Sequence, residues 1–206
     1  MGKLTALKEL KKAYLQLMFP QEGETVPRLR FAGFTEPWTQ RKLGEVAEFS
    51  KGSGYSKGDL ISKGSPIILY GRLYTKYETE IYDVDTFVDM RENSVLSRGG
   101  EVIVPSSGET AEDISRASVV TKAGVILGGD LNIVKPHDII HPTFLAVTIS
   151  NGNQQKELSR RAQGKSVVHI SNSDLKDVNL QLPCLEEQIC IGTFFRTLDE
   201  LIKLHN

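Results

Sequence analysis

The chain has 206 residues, 39% hydrophobic and 7% aromatic, and its 25 Lys+Arg nearly balance 26 Asp+Glu for a net charge of -1. Such a composition belongs to an ordinary soluble globular protein, long enough for one large or two small cores and without need of a disulfide scaffold. Cys184 and Cys190 are its 2 cysteines; with no histidine beside them they form neither a secreted disulfide framework nor a zinc finger, which predicts a reducing, cytoplasmic setting.

No apolar run approaches the roughly 20 residues of a membrane span, and Met1 to Pro20 lacks the apolar centre of a signal peptide. The near-zero net charge hides a division along the chain. Residues 1–30 hold six Lys/Arg against three Glu, and residues 151–176 hold five against two. A phosphate-binding protein needs cations on one face rather than a basic total, so a nucleic-acid partner stays open.

Leu4 to Phe19 has no Gly or Pro and places Leu7, Leu10, Tyr14 and Leu17 at spacings of three and four, an amphipathic helix stopped by Pro20. Residues 23–37 read as an extended connector leading to Pro37-Trp38. Thr39 to Glu48 reads as a short helix or turn with Leu43 and Val46 inward. Trp38 and Tyr14 read as packing residues where connector meets helix.

From Phe49 to Leu182 the period shortens to apolar runs bounded by glycines. Strands are predicted at Pro66–Tyr70, Val102–Val104, Val119–Val120, Val125–Leu127, Leu131–Val134 and Val167–Ile170. Many strands with irregular connections predict a curved sheet or partial barrel with loops free to bind. A helix interrupts them at Pro142–Ser150 and continues or finds its partner at Gln154–Gln163, beyond Asn151-Gly152-Asn153.

After Pro183 the pattern turns helical again, with Ile191, Phe195, Leu198 and Ile202 on one face. Glu187 stands where the carboxylate of a capping box belongs, with Cys184 a poor cap. The fold class expected is α+β, a strand-rich middle flanked by two long terminal amphipathic helices. These would pack on each other or on a second copy as a coiled coil or small bundle, leaving the middle a separate head.

Leu10-Lys11-Lys12-Ala13-Tyr14-Leu15-Gln16-Leu17-Met18-Phe19-Pro20, then Val26-Pro27-Arg28-Leu29-Arg30-Phe31, Phe34-Thr35-Glu36-Pro37-Trp38 and Arg41-Lys42-Leu43-Gly44-Glu45, closely resemble the central conserved region of type I restriction-modification specificity subunits. Gly164-Lys165-Ser166, Ile170-Ser171, Asp174-Leu175 and Leu182-Pro183-Cys184-Leu185-Glu186-Glu187-Gln188 resemble the end of a target recognition domain in that family, running into its distal conserved helix. Cys184 departs from the usual Ser.

Family members carry two target recognition domains held apart by two long helices. The resemblance therefore implies the second half of such a subunit or a half-subunit. It divides into a central-region helix (1–22), a target recognition domain (23–182) and a distal conserved helix (183–206). It also implies a subunit without bond chemistry or cofactor that selects double-stranded DNA and positions methyltransferase and nuclease-translocase subunits. Homodimerisation through Leu7, Leu10, Tyr14, Leu17, Ile191, Phe195, Leu198 and Ile202 would follow from the doubled apolar stripes.

Base specificity needs donors and acceptors at base edges, and affinity needs cations at phosphates. Candidate base contacts are Arg72, Tyr74 and Lys76 after the Pro66–Tyr70 strand, and Ser106, Ser107, Glu109 and Thr110 after Val102–Pro105. Solvated turns carry the same residue types. Arg160, Arg161, Lys165 and Ser166 are the phosphate candidates; the same cations also suit a helix C-terminus. Gly164-Lys165-Ser166 is no nucleotide-binding loop, because Ser159 stands where that motif needs glycine.

His137, His141 and His169 form no metal pattern and read as structural or DNA-contacting polar residues. Ser106 or Ser107 with His169 and an aspartate would make a cytosolic hydrolase, yet neither serine lies in a Gly-x-Ser-x-Gly turn. A protein-interaction scaffold without DNA readout is the alternative binding function.

Overall fold

The computed structural model describes residues 2–164 and 167–205. Its helices are α1 (Lys3–Leu17), α2 (Leu43–Val46), α3 (Arg72–Thr75), α4 (Ala111–Ile114), α5 (Pro142–Ile149), α6 (Gly152–Arg161), α7 (Asn172–Lys176) and α8 (Leu185–Leu204). The strands are β1 (Thr39–Lys42), β2 (Ala47–Lys51), β3 (Ser65–Ile68), β4 (Glu80–Ile81), β5 (Phe87–Val88), β6 (Leu96–Arg98), β7 (Glu101–Pro105), β8 (Ser107–Gly108), β9 (Ser118–Val120), β10 (Ala123–Leu127), β11 (Leu131–Pro136), β12 (Val168–His169) and β13 (Asn179–Leu182). The α+β class follows, with the two long helices at its ends.

A five-stranded sheet runs β2-β11-β7-β9-β4, and a four-stranded sheet β5-β3-β10-β6 packs against it. The uninterrupted run Val102-Ile103-Val104 explains how. Successive side chains point to opposite faces of a strand, so a run buried on both sides serves two cores. Val102 and Val104 join the larger cluster with Val134 and Phe144, while Ile103 joins Ile68, Leu127 and Leu131 between the sheets. Asn132 points to the larger cluster and is fully buried; its Nδ2 donates to the Ile170 carbonyl at 2.9 Å, tying the later chain to the sheet.

Helix α5, apolar all round, lies across that larger core, and α8 packs on it. Phe19, Trp38, Phe144 and Phe195 meet there, Phe19 stacking on Phe144 at 5.9 Å and meeting Trp38 edge-on at 5.9 Å. The terminal helices are antiparallel: Lys11 pairs with Asp199, and the Tyr14 ring meets Phe194 at 4.9 Å.

Three expectations change. The head is not separate from its helices, because Ile191, Phe195 and Leu198 are buried in this chain's own core and are not free for a second copy. Thr39–Lys42 is a strand, not helix or turn, because β13 pairs with it antiparallel from Leu182 to Asn179. Glu187 closes no capping box: Arg30 Nε and Nη2 donate to it at 2.7 and 2.8 Å, and Cys184 makes no side-chain cap.

Candidate nucleic-acid interface

Strand pairing gathers several loops at one end of the two sheets. Lys51 pairs with Asn132 and Leu131 with Pro105, so the end of β2, the start of β11 and the end of β7 are neighbours. Ile68 pairs with Leu127 in parallel, bringing the ends of β3 and β10 to the same place. Segments 52–56, 69–76, 106–110 and 128–130 therefore converge, and β12 joins them by pairing with β8.

The loops rest on close backbone contacts. A Cβ on Gly52 would lie 1.9 Å from the Gly128 carbonyl oxygen, so only glycine fits there, and one on Gly128 would push against Leu69 Cδ2 at 2.5 Å and the Ile68 carbonyl oxygen at 3.0 Å. Ser53 N–H donates to the Leu127 carbonyl and Ser106 N–H to the Asp130 carbonyl, both at 2.8 Å. Asp130 itself is left-handed, at φ 58.

Tyr74 lies between two of the loops. Its hydroxyl donates to the Ser107 carbonyl, its ring meets Tyr70 at 5.8 Å, and burial pushes its phenol up. Ser107 Oγ then lies 3.1 Å from His169 Nδ1 on β12. Tyr74, Ser107 and His169 thus form one connected row across three chain segments.

The other candidates divide by how their side chains are spent. Ser106 is buried, so it supports the loop from beneath. Thr110 caps α4, accepting from Asp113 N–H at 3.1 Å. Arg72 is enclosed by acidic groups, with its side chain 8% exposed. Lys76 Nζ reaches Asp85 at 2.8 Å, a hydrogen bond that holds the Asp85 carboxyl below its usual range. Glu109 is exposed beside Thr110.

Arg160 and Arg161 do not join this end. Arg161 donates to Glu157 at 2.8 Å and to the Asp177 carbonyl at 3.2 Å. Arg160 opens onto a groove of about 300 Å³ with Gln21, Gln40, Asn153 and Gln181. Lys165 and Ser166 lie outside the described residues.

Sequence reasoning gives His169 only the general role of a structural or DNA-contacting polar residue; the fold sets it in this row. The signal was alternation: Val168 packs on the core, so His169 on the same short strand faces outward. Ser107 meets His169 at Nδ1, the nitrogen that a hydrolase triad gives to its carboxylate rather than to its serine, and no carboxylate among the described residues hydrogen-bonds to His169. Among the described residues no three His, Cys, Asp or Glu group to hold a metal. His137 and His141 sit past the opposite end of the sheet, after Pro136, where burial lowers the basicity of His141.

Comparison with known proteins places this arrangement. A family profile described as Type I restriction modification DNA specificity domain matches residues 35–206. No curated protein sequence matches the chain. Among solved structures, an HsdS subunit from Thermoanaerobacter tengcongensis superposes with TM-score 0.63 at 18% identity, covering 98% of this chain and 45% of that one. A chain from a structure of complex assembly and conformational transition in the type I R-M system gives 0.68 at 19% identity, covering 98% and 46%. The S subunit of a type I restriction-modification system from M. genitalium gives 0.56 at 15%, covering 82% and 40%.

The present chain thus spans less than half the length of these structural relatives, whose likeness establishes the shared fold. With the profile extending over most of the sequence, the chain belongs to the type I restriction modification DNA specificity domain family.

Proposed function

We propose that this chain recognises a short DNA sequence as a non-catalytic specificity subunit of a type I restriction-modification complex, setting methyltransferase and nuclease-translocase subunits on the duplex. The observation that carries this reading is the convergence of loops 52–56, 69–76, 106–110 and 128–130 at one sheet end, braced on backbone contacts. Rigidly mounted polar loops suit base-edge readout, which requires donors and acceptors held in fixed register. Lys76, Ser107, Glu109 and His169 are the side chains best placed to meet bases, and Tyr74 holds their loops together. Lys165 and Ser166 are assigned to phosphates; Arg160, on a groove away from this sheet end, is not. The head would be residues 23–182, between central-region residues 1–22 and distal residues 183–206.

A homodimer is part of the proposal. On α1, Ala6, Leu10, Ala13 and Leu17 are all exposed at spacings of four, three and four, the seam of a coiled coil. Leu29 extends it, its N–H donating to the Leu17 carbonyl at 2.9 Å. Two copies joined along that seam would carry two heads and read an inverted repeat interrupted by unread base pairs.

Selection from a random duplex library, followed by titration of the winner and a scrambled duplex against salt, tests the reading. A sequence-specific binder loses affinity with salt at a slope of about -0.9 per phosphate contact while keeping its preference. A chain that binds both duplexes equally, or neither, overturns it. Generic esters should go unhydrolysed; turnover abolished by Ser107→Ala would point instead to a hydrolase.

A further inference from the structure

Arg72 opens α3, in the loop that follows β3, yet its guanidinium faces inward. Nη1 donates to Asp85 at 2.8 Å, and Nη2 donates to Glu78 at 2.7 Å and to the Asp83 carbonyl at 2.8 Å. Glu78 uses its other oxygen to accept from Lys203 of α8 at 3.1 Å. One residue on, Thr79 Oγ1 donates to Asp199 of α8 at 2.8 Å, and Asp199 also pairs with Lys11 of α1. The segment entering β4 is therefore fastened to both terminal helices, and Arg72 fastens the 69–76 loop to that segment.

Tyr74 carries the connection further. Two residues beyond Arg72, it braces the Ser107 carbonyl, so whatever fixes α3 also fixes the 106–110 loop. For Arg72 to reach a base edge it would have to surrender charge-assisted bonds and leave the partly buried Glu78 without its guanidinium. A base contact of the same kind returns no more than it gives up.

The geometry points to Arg72 as a positioning residue for DNA readout: through Glu78 it holds the 69–76 and 106–110 loops, as one body, in fixed relation to the helix pair. This rests on the proposed function. It differs from direct reading in what its loss does. Loosening one body that carries several readers degrades preference at several neighbouring base pairs together, while the number of phosphate contacts stays the same.

The test compares the full chain with Arg72→Lys, which keeps the charge but loses the fork, and Glu78→Gln, which alters the seam without touching Arg72 itself. Each enters selection from a random duplex library and a salt titration. Preference is a ratio of affinities within one sample, so a lowered folded fraction does not move it. Both variants should lose preference at the same set of adjacent base pairs, by roughly fivefold or more at each, with the salt slope unchanged.

Loss confined to one base pair in Arg72→Lys, with Glu78→Gln like wild type, would make Arg72 a direct reader and overturn the inference. A salt slope reduced by about one in Arg72→Gln, which removes the charge that Arg72→Lys keeps, would make it a phosphate contact and overturn it as well. Wild-type preference in both variants would overturn the inference alone. A wild-type chain with no preference would overturn the proposed function and this inference with it. Should Arg72→Lys fail to fold, Glu78→Gln decides by the same readout.

Discussion

Helix α8 puts Ile191 and Phe195 at 1% and 0% exposure within the core, whereas α1, written in the same amphipathic pattern, has no buried residue and leaves Leu10 43% and Leu17 39% exposed. The tie between them is an edge, made by Tyr14 on Phe194 and by Lys11 with Asp199. Topology accounts for the difference. Helix α8 leaves directly from β13, which is anchored to β1, and so is laid across α5. Helix α1 reaches the core only at its end, where Met18 and Phe19 turn inward. Apolar spacing announces that a face exists; chain connectivity decides what covers it.

Truncation at the two helices should separate them most. Phe195→Ala empties a site surrounded by Phe19 and Phe194 and should cost about 3–5 kcal/mol in denaturant unfolding. Tyr14→Ala, at the edge, should cost about 1 kcal/mol. Equal losses would break the contrast. Next comes the pair that pins the connector to α8: Glu187 is 1% exposed and Arg30 12%. Arg30→Met leaves that carboxylate buried without its counter-charge, for a loss of about 3 kcal/mol, and the double variant Arg30→Met/Glu187→Leu should recover most of it. A double variant as unstable as the single one would mean that the methionine's fit, not the stranded charge, is responsible.

Those same residues mark what the sequence could convey. The runs at β7, β10 and β11 are legible because β-branched residues between turn signals have few other uses. Strand β1 is not, since Thr39-Gln40-Arg41-Lys42 is exposed throughout and owes its conformation to β13, 137 or more residues away. Glu187 was misread locally because its partner lies 157 residues distant. At the candidate interface, residue type singled out Tyr74 and Ser107 separately. Their contact belongs to the tertiary fold, as does the acidic enclosure that turns Arg72 inward.

A smaller effect arises where α5 begins. His141 lies against Gly192 of α8, its Nδ1 3.0 Å from where a Cβ on that glycine would stand, and its backbone N–H donates to Gln188 Oε1 at 3.0 Å. Burial lowers its basicity, with Glu80 opposing and Arg196 reinforcing the shift. A lowered folded pKa means that the unfolded chain protonates first, near pH 6.5. Stability from this site is therefore full above that pH and declines as pH falls through the folded value. The melting temperature of wild type should drop more between pH 7.5 and 5.5 than that of His141→Asn. Parallel pH curves for the two proteins would remove His141 as the cause.

The least effect on the single chain should come from the exposed seam of α1, and there the contrast between the helices becomes a statement about assembly. Replacing Leu10 and Leu17 by lysine removes apolar surface that this chain covers only in part, and the lysine stem can cover the same inner part, so unfolding free energy should change by only about 0.5 kcal/mol per site. If a second copy covers the seam, the same substitutions place like charges along a face that must meet itself. Sedimentation should then show wild type dimerising as concentration rises and Leu10→Lys/Leu17→Lys remaining monomeric. On DNA the variant should still prefer a half-site but lose the advantage of the spaced inverted repeat, because that advantage comes from two heads on one rigid mount. A wild-type chain that stays monomeric at high concentration would leave α1's outer face without a second copy to cover it and would confine readout to one head.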